Sequence, residues 1–123
     1  MMKINVFDAY QIKKLKERLN KWLFNIRHGK IHTEYYPSGK KKSKGCLVFD
    51  QKDGKWNEWH DNGQRKAQGY YSQNMAYGKW TYWHDNGQKR SKGSYLWVDY
   101  GKGQGLVKDK DWTYWHEDGI KKE

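Results

Sequence analysis

The stretch GKWTYWHDNGQKR, Gly78 to Arg90, repeats GKWNEWHDNGQRK, Gly54 to Lys66, almost residue for residue. Trp56 and Trp59 recur as Trp80 and Trp83, 24 residues on, and Gly39, Gly63 and Gly87 keep the same interval. So do Gly45, Gly69 and Gly93. A fixed period of this length marks stacked structural units, each too small to bury its own apolar face. Within a unit, an aromatic run meets Asn-Gly and then a basic return. Asn-Gly between aromatic-rich runs is a hairpin signal, because glycine tolerates the positive φ of a tight turn. Each unit is therefore expected to be a β-hairpin, and successive hairpins to continue into an antiparallel meander.

Working outward, the other copies are less regular. DWTYWHEDGIKK from Asp111 is a copy displaced by 32 residues instead of 24. Its eight extra residues fall between Tyr95 and Trp112, where the run from Tyr100 through Lys102 to Leu106 suggests a flexible excursion. The first copy, GKIHTEYYPSGKKKSKG from Gly29, has Tyr35-Tyr36 in place of Trp-His. All four turns, Pro37-Ser38-Gly39, Asp61-Asn62-Gly63, Asp85-Asn86-Gly87 and Glu117-Asp118-Gly119, fit a type I turn closed by a left-handed glycine. The repeats are placed at 29–52, 53–76, 77–108 and 109–123.

Ahead of them, Asp8 with Gln11 three residues later forms a capping-box pattern. Ile12, Leu15, Leu19, Trp22, Leu23 and Ile26 follow at helical spacing, and Gly29 stops the helix. Residues 1–28 are thus expected to be a basic amphipathic helix packed on or capping the sheet, its stripe covering a sheet face, in one compact domain. A membrane surface or nucleic acid is the other use of such a helix.

Composition supports this unusual architecture. Leu, Ile, Val and Phe number only 18 of 123, and the net charge is +11, a balance associated with disorder. Eight Trp and ten Tyr reverse that inference, since each buries roughly 150–250 Å². The core must be aromatic. The lone Cys46 excludes an internal disulfide. No apolar run approaches a membrane span, and Met1-Met2-Lys3 leads into no signal-peptide core, so a cytoplasmic protein is expected.

The units G-K-W-x-x-[WY]-x-x-x-N-G, followed by basic residues and G-x-Y, resemble MORN-type repeats in their bacterial variant form. The resemblance rests on Gly54-Lys55-Trp56, Gly78-Lys79-Trp80, the Asn-Gly turns, and Gly69-Tyr70-Tyr71 with Gly93-Ser94-Tyr95. It covers roughly Gly29 to Glu123 and departs in the eight-residue insertion and the Gly missing before Trp112, where Asp111 stands. It implies a single-layer β-meander used for binding, with no catalytic residues to carry over. Relatives in bacteria are labelled antitoxin-like, and those in eukaryotes are linked to membranes and scaffolding.

No chemistry is legible. His60, His84 and His116 recur in register, but equivalent residues two strands apart lie about 9–10 Å from one another, too far to share one zinc ion. Gly101 to Gly105 lacks the Gly-Lys-Ser/Thr and following helix of a phosphate loop. Neither an enzyme, a metal nor a cofactor is expected.

The binding candidates are basic and aromatic. Alternation puts Trp56, Trp80 and Trp112 on one face and Trp59, Trp83 and Trp115 on the other. The pairs Lys41-Lys42, Arg65-Lys66, Lys89-Arg90 and Lys121-Lys122 would build one cationic column on each face. Residues 1–45 carry 12 Lys/Arg against three acids, which adds Lys40 and Lys44 to the candidates. Tyr100 and Lys102 are candidates as members of a long loop. The expected function is non-enzymatic binding of a protein with an acidic surface, inhibiting or neutralising it on the antitoxin pattern. Binding of RNA or single-stranded DNA is the alternative, then an anionic membrane surface reached through Trp22, Leu23 and Phe24. The open sheet edges also allow a homodimer.

Overall fold

A computed structural model describes residues 8–99 and 104–123. It is mainly β, a single antiparallel sheet preceded by one helix, α1 (Ala9–His28). The strands are β1 (Lys30–Tyr35), β2 (Lys41–Val48), β3 (Gln51–Trp59), β4 (Arg65–Ser72), β5 (Met75–Trp83), β6 (Lys89–Asp99), β7 (Gln104–Lys108) and β8 (Thr113–Tyr114). Spatial order follows chain order from β1 to β7, and β8 pairs with β6 beyond the end of β7. This is the expected meander of hairpins.

One turn design serves all four repeats. Gly39, Gly63, Gly87 and Gly119 have φ between 87° and 88°. Their amides donate to Tyr36, His60, His84 and His116 carbonyls at 2.8–3.1 Å. The alternate turns use a different solution: Phe49-Asp50 and Gln73-Asn74 both have positive φ, the two-residue hairpin geometry that matches strand twist.

The core is one aromatic layer laid on glycines. A Cβ at Gly45 would overlap the Trp56 indole, one at Gly69 the Trp80 indole, and one at Gly93 that of Trp112. Each Trp therefore leans back over the preceding hairpin, where a missing side chain leaves room for it. Trp56 and Trp80 are only 2% and 3% exposed. Tyr71 meets Trp56 and Trp80 edge-on at 6.3 and 5.0 Å, and Tyr95 lies 5.0 Å from Trp112. Lys52 lies over Trp56 and Tyr71, and Lys108 over Trp112 and Tyr114, so two lysine stems roof the ends of the layer. The sheet thus needs no second layer to bury its central tryptophans.

That self-sufficiency bears on the helix. Asp8 caps it, accepting from the Gln11 amide at 2.8 Å, and Gly29 ends it at φ +92°. Its stripe, however, does not cover a sheet face: Ile12, Leu15, Leu19 and Trp22 are 40–59% exposed. Leu23 is half-buried, and β2 is the one strand with which the described part of α1 packs appreciably. The aromatic layer already buries Trp56 and Trp80, so that face does not need the stripe as a cover.

The insertion continues as a hairpin on either side of residues 100–103. β6 and β7 pair from Tyr95↔Lys108 to Asp99↔Gln104, extending the hairpin past its neighbours. Leu96, Trp97, Val98 and Leu106 on it are 36–46% exposed, and Trp97 Nε1 donates to the Ala76 carbonyl at 2.8 Å. Tyr100 and Lys102 lie outside the described residues. After the insertion the repeat register resumes. Asp109 N donates to Ser94 O at 2.8 Å, placing Lys110 where Gly54 and Gly78 stand and Asp111 where Lys55 and Lys79 stand. The missing glycine is therefore at Lys110 and not, as expected, at Asp111.

Candidate functional site

The turn ends of the hairpins are tied together by side chains reaching one repeat forward. His60 Nε2 donates to the Trp83 carbonyl at 2.9 Å and His84 Nε2 to that of Trp115 at 3.0 Å. Tyr36, in the histidine position of the first repeat, does the same from its hydroxyl to the Trp59 carbonyl at 2.7 Å. Because a carbonyl only accepts, each of these two imidazoles carries its proton on Nε2. His60 and His84 are therefore inter-repeat ties at the strand ends.

The turn asparagines have two tasks. Asn62 Oδ1 accepts from Gln64 N at 2.9 Å, while its Nδ2 donates to the Asp85 carbonyl of the next turn at 2.6 Å. Asn86 repeats both bonds, to Gln88 N and the Glu117 carbonyl. Asp118 keeps only the first, accepting from Ile120 N at 2.9 Å. Acceptance shapes the turn, and an amide donor is needed only where another hairpin follows.

These ties fix where the basic pairs point. The Arg65 guanidinium lies 5.9 Å from the centre of the Trp83 ring, and Lys89 Nζ 5.9 Å from that of Trp115. On the opposite face, Arg90 lies over Tyr82 at 5.5 Å and Lys42 over Tyr36 at 5.8 Å. A one-residue register shift between Glu58 and Trp59, repeated between Tyr82 and Trp83, turns the two members of each pair apart. One cationic row, Lys41, Arg65, Lys89 and Lys121, follows the Trp59, Trp83 and Trp115 face. The other, Lys42, Lys66, Arg90 and Lys122, borders the aromatic layer.

The structure thus brings together most of the expected candidates. Trp59, Trp83 and Trp115 are half-buried, unlike Trp56 and Trp80, so this second column keeps part of each ring accessible. The basic side chains beside them are exposed. Lys44 joins the same face from β2, pairing in register with Asn57, whereas Lys40 sits at the first turn. Sequence reading missed Lys55, Lys79 and Lys92, which project from this same face and are also exposed. Strict alternation from Trp56 would have found them. Among the described residues the close contacts between basic groups and carboxylates are Lys14–Glu17 and His32–Glu34, so no lysine or arginine of this face has an ion-pair partner there.

Two tyrosines of the aromatic layer hold their protons tightly. Burial, then the charge of Glu58, raises Tyr71 above the usual value of 10.0. Burial raises Tyr82 further, followed by its 3.0 Å hydroxyl bond with Tyr95. An unfolded chain releases these protons near pH 10, and the folded one retains them to higher pH. Their contribution to stability is therefore complete below pH 10 and is lost as pH rises from there through the raised folded values. Tyr82→Phe, with no phenol to ionise, should move the alkaline unfolding midpoint upward when followed by circular dichroism. An unchanged or lowered midpoint would place the alkaline limit elsewhere.

The family model described as MORN repeat variant matches residues 29–48, 52–73 and 76–96, together just over half of the chain. No curated protein and no solved structure matches it. The match omits α1, the Phe49-Asp50 turn, the extended part of the β6–β7 hairpin and the last repeat, although Trp112 seats on Gly93 as its equivalents do. Three consecutive matches over half of the chain, with Trp56 and Trp80 of the second and third seated on glycines of the hairpin before, make this chain a member of the MORN repeat variant family.

Proposed function

We propose that this non-enzymatic binding module engages another protein through the face bearing Trp59, Trp83 and Trp115, and that the complementary surface is acidic. The observation that carries the reading is the set of exposed cations on that face that form no ion pair among the described residues, repeated at a fixed two-strand interval beside partly open indoles. Interfaces favour aromatic anchors with arginine, and unpaired charges steer association with a partner of opposite sign. Rigid ties through His60 and His84 hold the rows in place before contact, which lowers the entropy lost on binding. Following the antitoxin-like side of the family resemblance, engagement would mask the partner's acidic surface and so inhibit it, in a cytosolic setting.

The test is affinity capture from the native source with identification by mass spectrometry, comparing the wild-type chain with Arg65→Glu/Lys89→Glu. Enrichment of one acidic protein by the wild type alone is the expected result. Equal capture by both chains would remove the cationic face from the interface.

Single-stranded nucleic acid is the second reading, favoured by the interleaving of Arg65 and Lys89 with Trp83 and Trp115. Phosphate contact and base stacking use that combination. It requires affinity for an oligonucleotide that falls steeply as salt rises. A salt-insensitive or absent signal eliminates it.

A further inference from the structure

Between the C-terminal half of α1 and the end of the sheet lies a cleft of about 570 Å³. Trp22 and Asn25 form its helical wall, Leu47 and Phe49 the opposite one, with His32 and Asp50 beside them. Two features distinguish it from an incidental gap.

The first is Phe49. It occupies the leading position of a two-residue turn at φ +49°, a region that bulky side chains rarely adopt, and its ring is 63% exposed. The corresponding turn of the next hairpin fills these places with Gln73 and Asn74. Neither local geometry nor burial within the chain accounts for an aromatic here. Strain of this kind persists where something other than local stability uses the residue. The second is continuity: the exposed stripe of Ile12, Leu15, Leu19 and Trp22 leads along α1 to the same cleft.

We propose that this cleft and stripe receive an amphipathic helix of a partner protein, apolar on one side and acidic on its flanks. The proposal rests on the reading of the chain as a protein-binding module and adds a surface distinct from the cationic sheet face. Charge selects the occupant. Within Ala9–His28 there are six Lys/Arg and one acid, Glu17, which pairs with Lys14. A second α1 would bring like charges together, whereas glutamates flanking a leucine stripe would meet Lys16, Arg18 and Arg27. The polarity of the walls disfavours lipid. Acyl chains entering the cleft would cover the polar side chains of Asn25 and Asp50 without supplying hydrogen-bonding partners, which a peptide backbone and its side chains supply. A helix about 10–12 Å across, laid along α1, also matches the groove-binding mode in which residues at i, i+3, i+4 and i+7 act as anchors.

The probe is a labelled helical peptide with leucines at those positions and glutamate flanks, titrated against the full chain by fluorescence anisotropy. Its controls are the same stripe with lysine flanks and the same flanks with serines in the stripe. The leucine–glutamate peptide should bind the wild-type chain, and at least about tenfold more weakly to Trp22→Ala and to Phe49→Asn. Phe49→Asn should melt no lower than the wild type, since asparagine suits the turn, so that its loss of binding is not loss of fold. Arg65→Glu/Lys89→Glu should leave peptide binding within about twofold; this separates a failure here from a failure of the sheet-face reading. Equal binding of the leucine and serine peptides would reduce the effect to charge and overturn the proposal, as would wild-type affinity in both cleft variants. Flotation with phosphatidylcholine–phosphatidylglycerol vesicles that depends on Trp22 and Phe49, without peptide binding, would assign the surface to lipid instead. Concentration-dependent self-association abolished by Phe49→Asn would assign it to a second copy.

Discussion

Trp80→Ala should lower the stability of the chain by about 3–5 kcal/mol, the range for truncating a large buried aromatic. Trp80 is in ring contact with three tyrosines of the core. It lies at 5.0 Å from Tyr71, 5.8 Å from Tyr82 and 6.2 Å from Tyr95, across three strands, and rests on Gly69 of β4. A two-layer protein can relax into such a cavity from the opposite layer. Here no second layer faces the void, so water enters and the neighbouring tyrosines lose their edge contacts. Against a total stability of about 5–15 kcal/mol, the loss is large enough to read as a drop in the denaturant midpoint. A change below about 1 kcal/mol, the level of an ordinary surface substitution or less, would show that the aromatic layer is not the core.

Gly69→Ala should cost about 3 kcal/mol, although it adds a single methyl group. Overpacking a fixed core costs about 1–3 kcal/mol, and the upper end applies because the obstructed group is a whole indole on its backbone seat. The new Cβ would occupy the space of the six-membered ring of Trp80, which Tyr71, Tyr82 and Tyr95 keep from tilting away. Gly63→Ala provides the comparison. It meets nothing within 4 Å, but its φ of +88° makes any Cβ unfavourable, at about 1–2 kcal/mol. The two glycines are thus required for different reasons, one steric and one conformational. A double-mutant cycle separates them. With Trp80→Ala already present, Gly69→Ala should lose most of its penalty, while Gly63→Ala should keep all of it. Additive behaviour at position 69 would refute the seat.

The two experiments bear on how function is built. A sheet that packs its own aromatics on its own glycines leaves its second face free of structural duty. Cations can accumulate there without having to be buried, and the forward ties from Tyr36, His60 and His84 keep their spacing constant. The same economy leaves the aromatic face with no need of α1 as a cover.

The hairpins, their order and both kinds of tryptophan column follow from the 24-residue period, the Asn-Gly turns and strand alternation, because these are local or nearest-neighbour properties. That the basic pairs divide between the faces was also legible from alternation, but which member goes where was not, because the register shift at Tyr82 and Trp83 is what sets Lys89 beside Trp115 and Arg90 over Tyr82. Three further things were not legible. Periodicity could mark Trp56 and Trp59 as equally apolar, but only the glycine one hairpin earlier decides that the first is buried and the second half-open. The conserved shape of the turn could not reveal that Asn62 and Asn86 also donate to the following turn, a bond between repeats that exists only after stacking. Nor could the amphipathic pattern of α1 say whether its stripe would find a partner within the chain. Sequence determined that such a stripe exists; packing left it exposed, because Trp56, Trp80 and Trp112 lying on Gly45, Gly69 and Gly93 close the aromatic face without a cover.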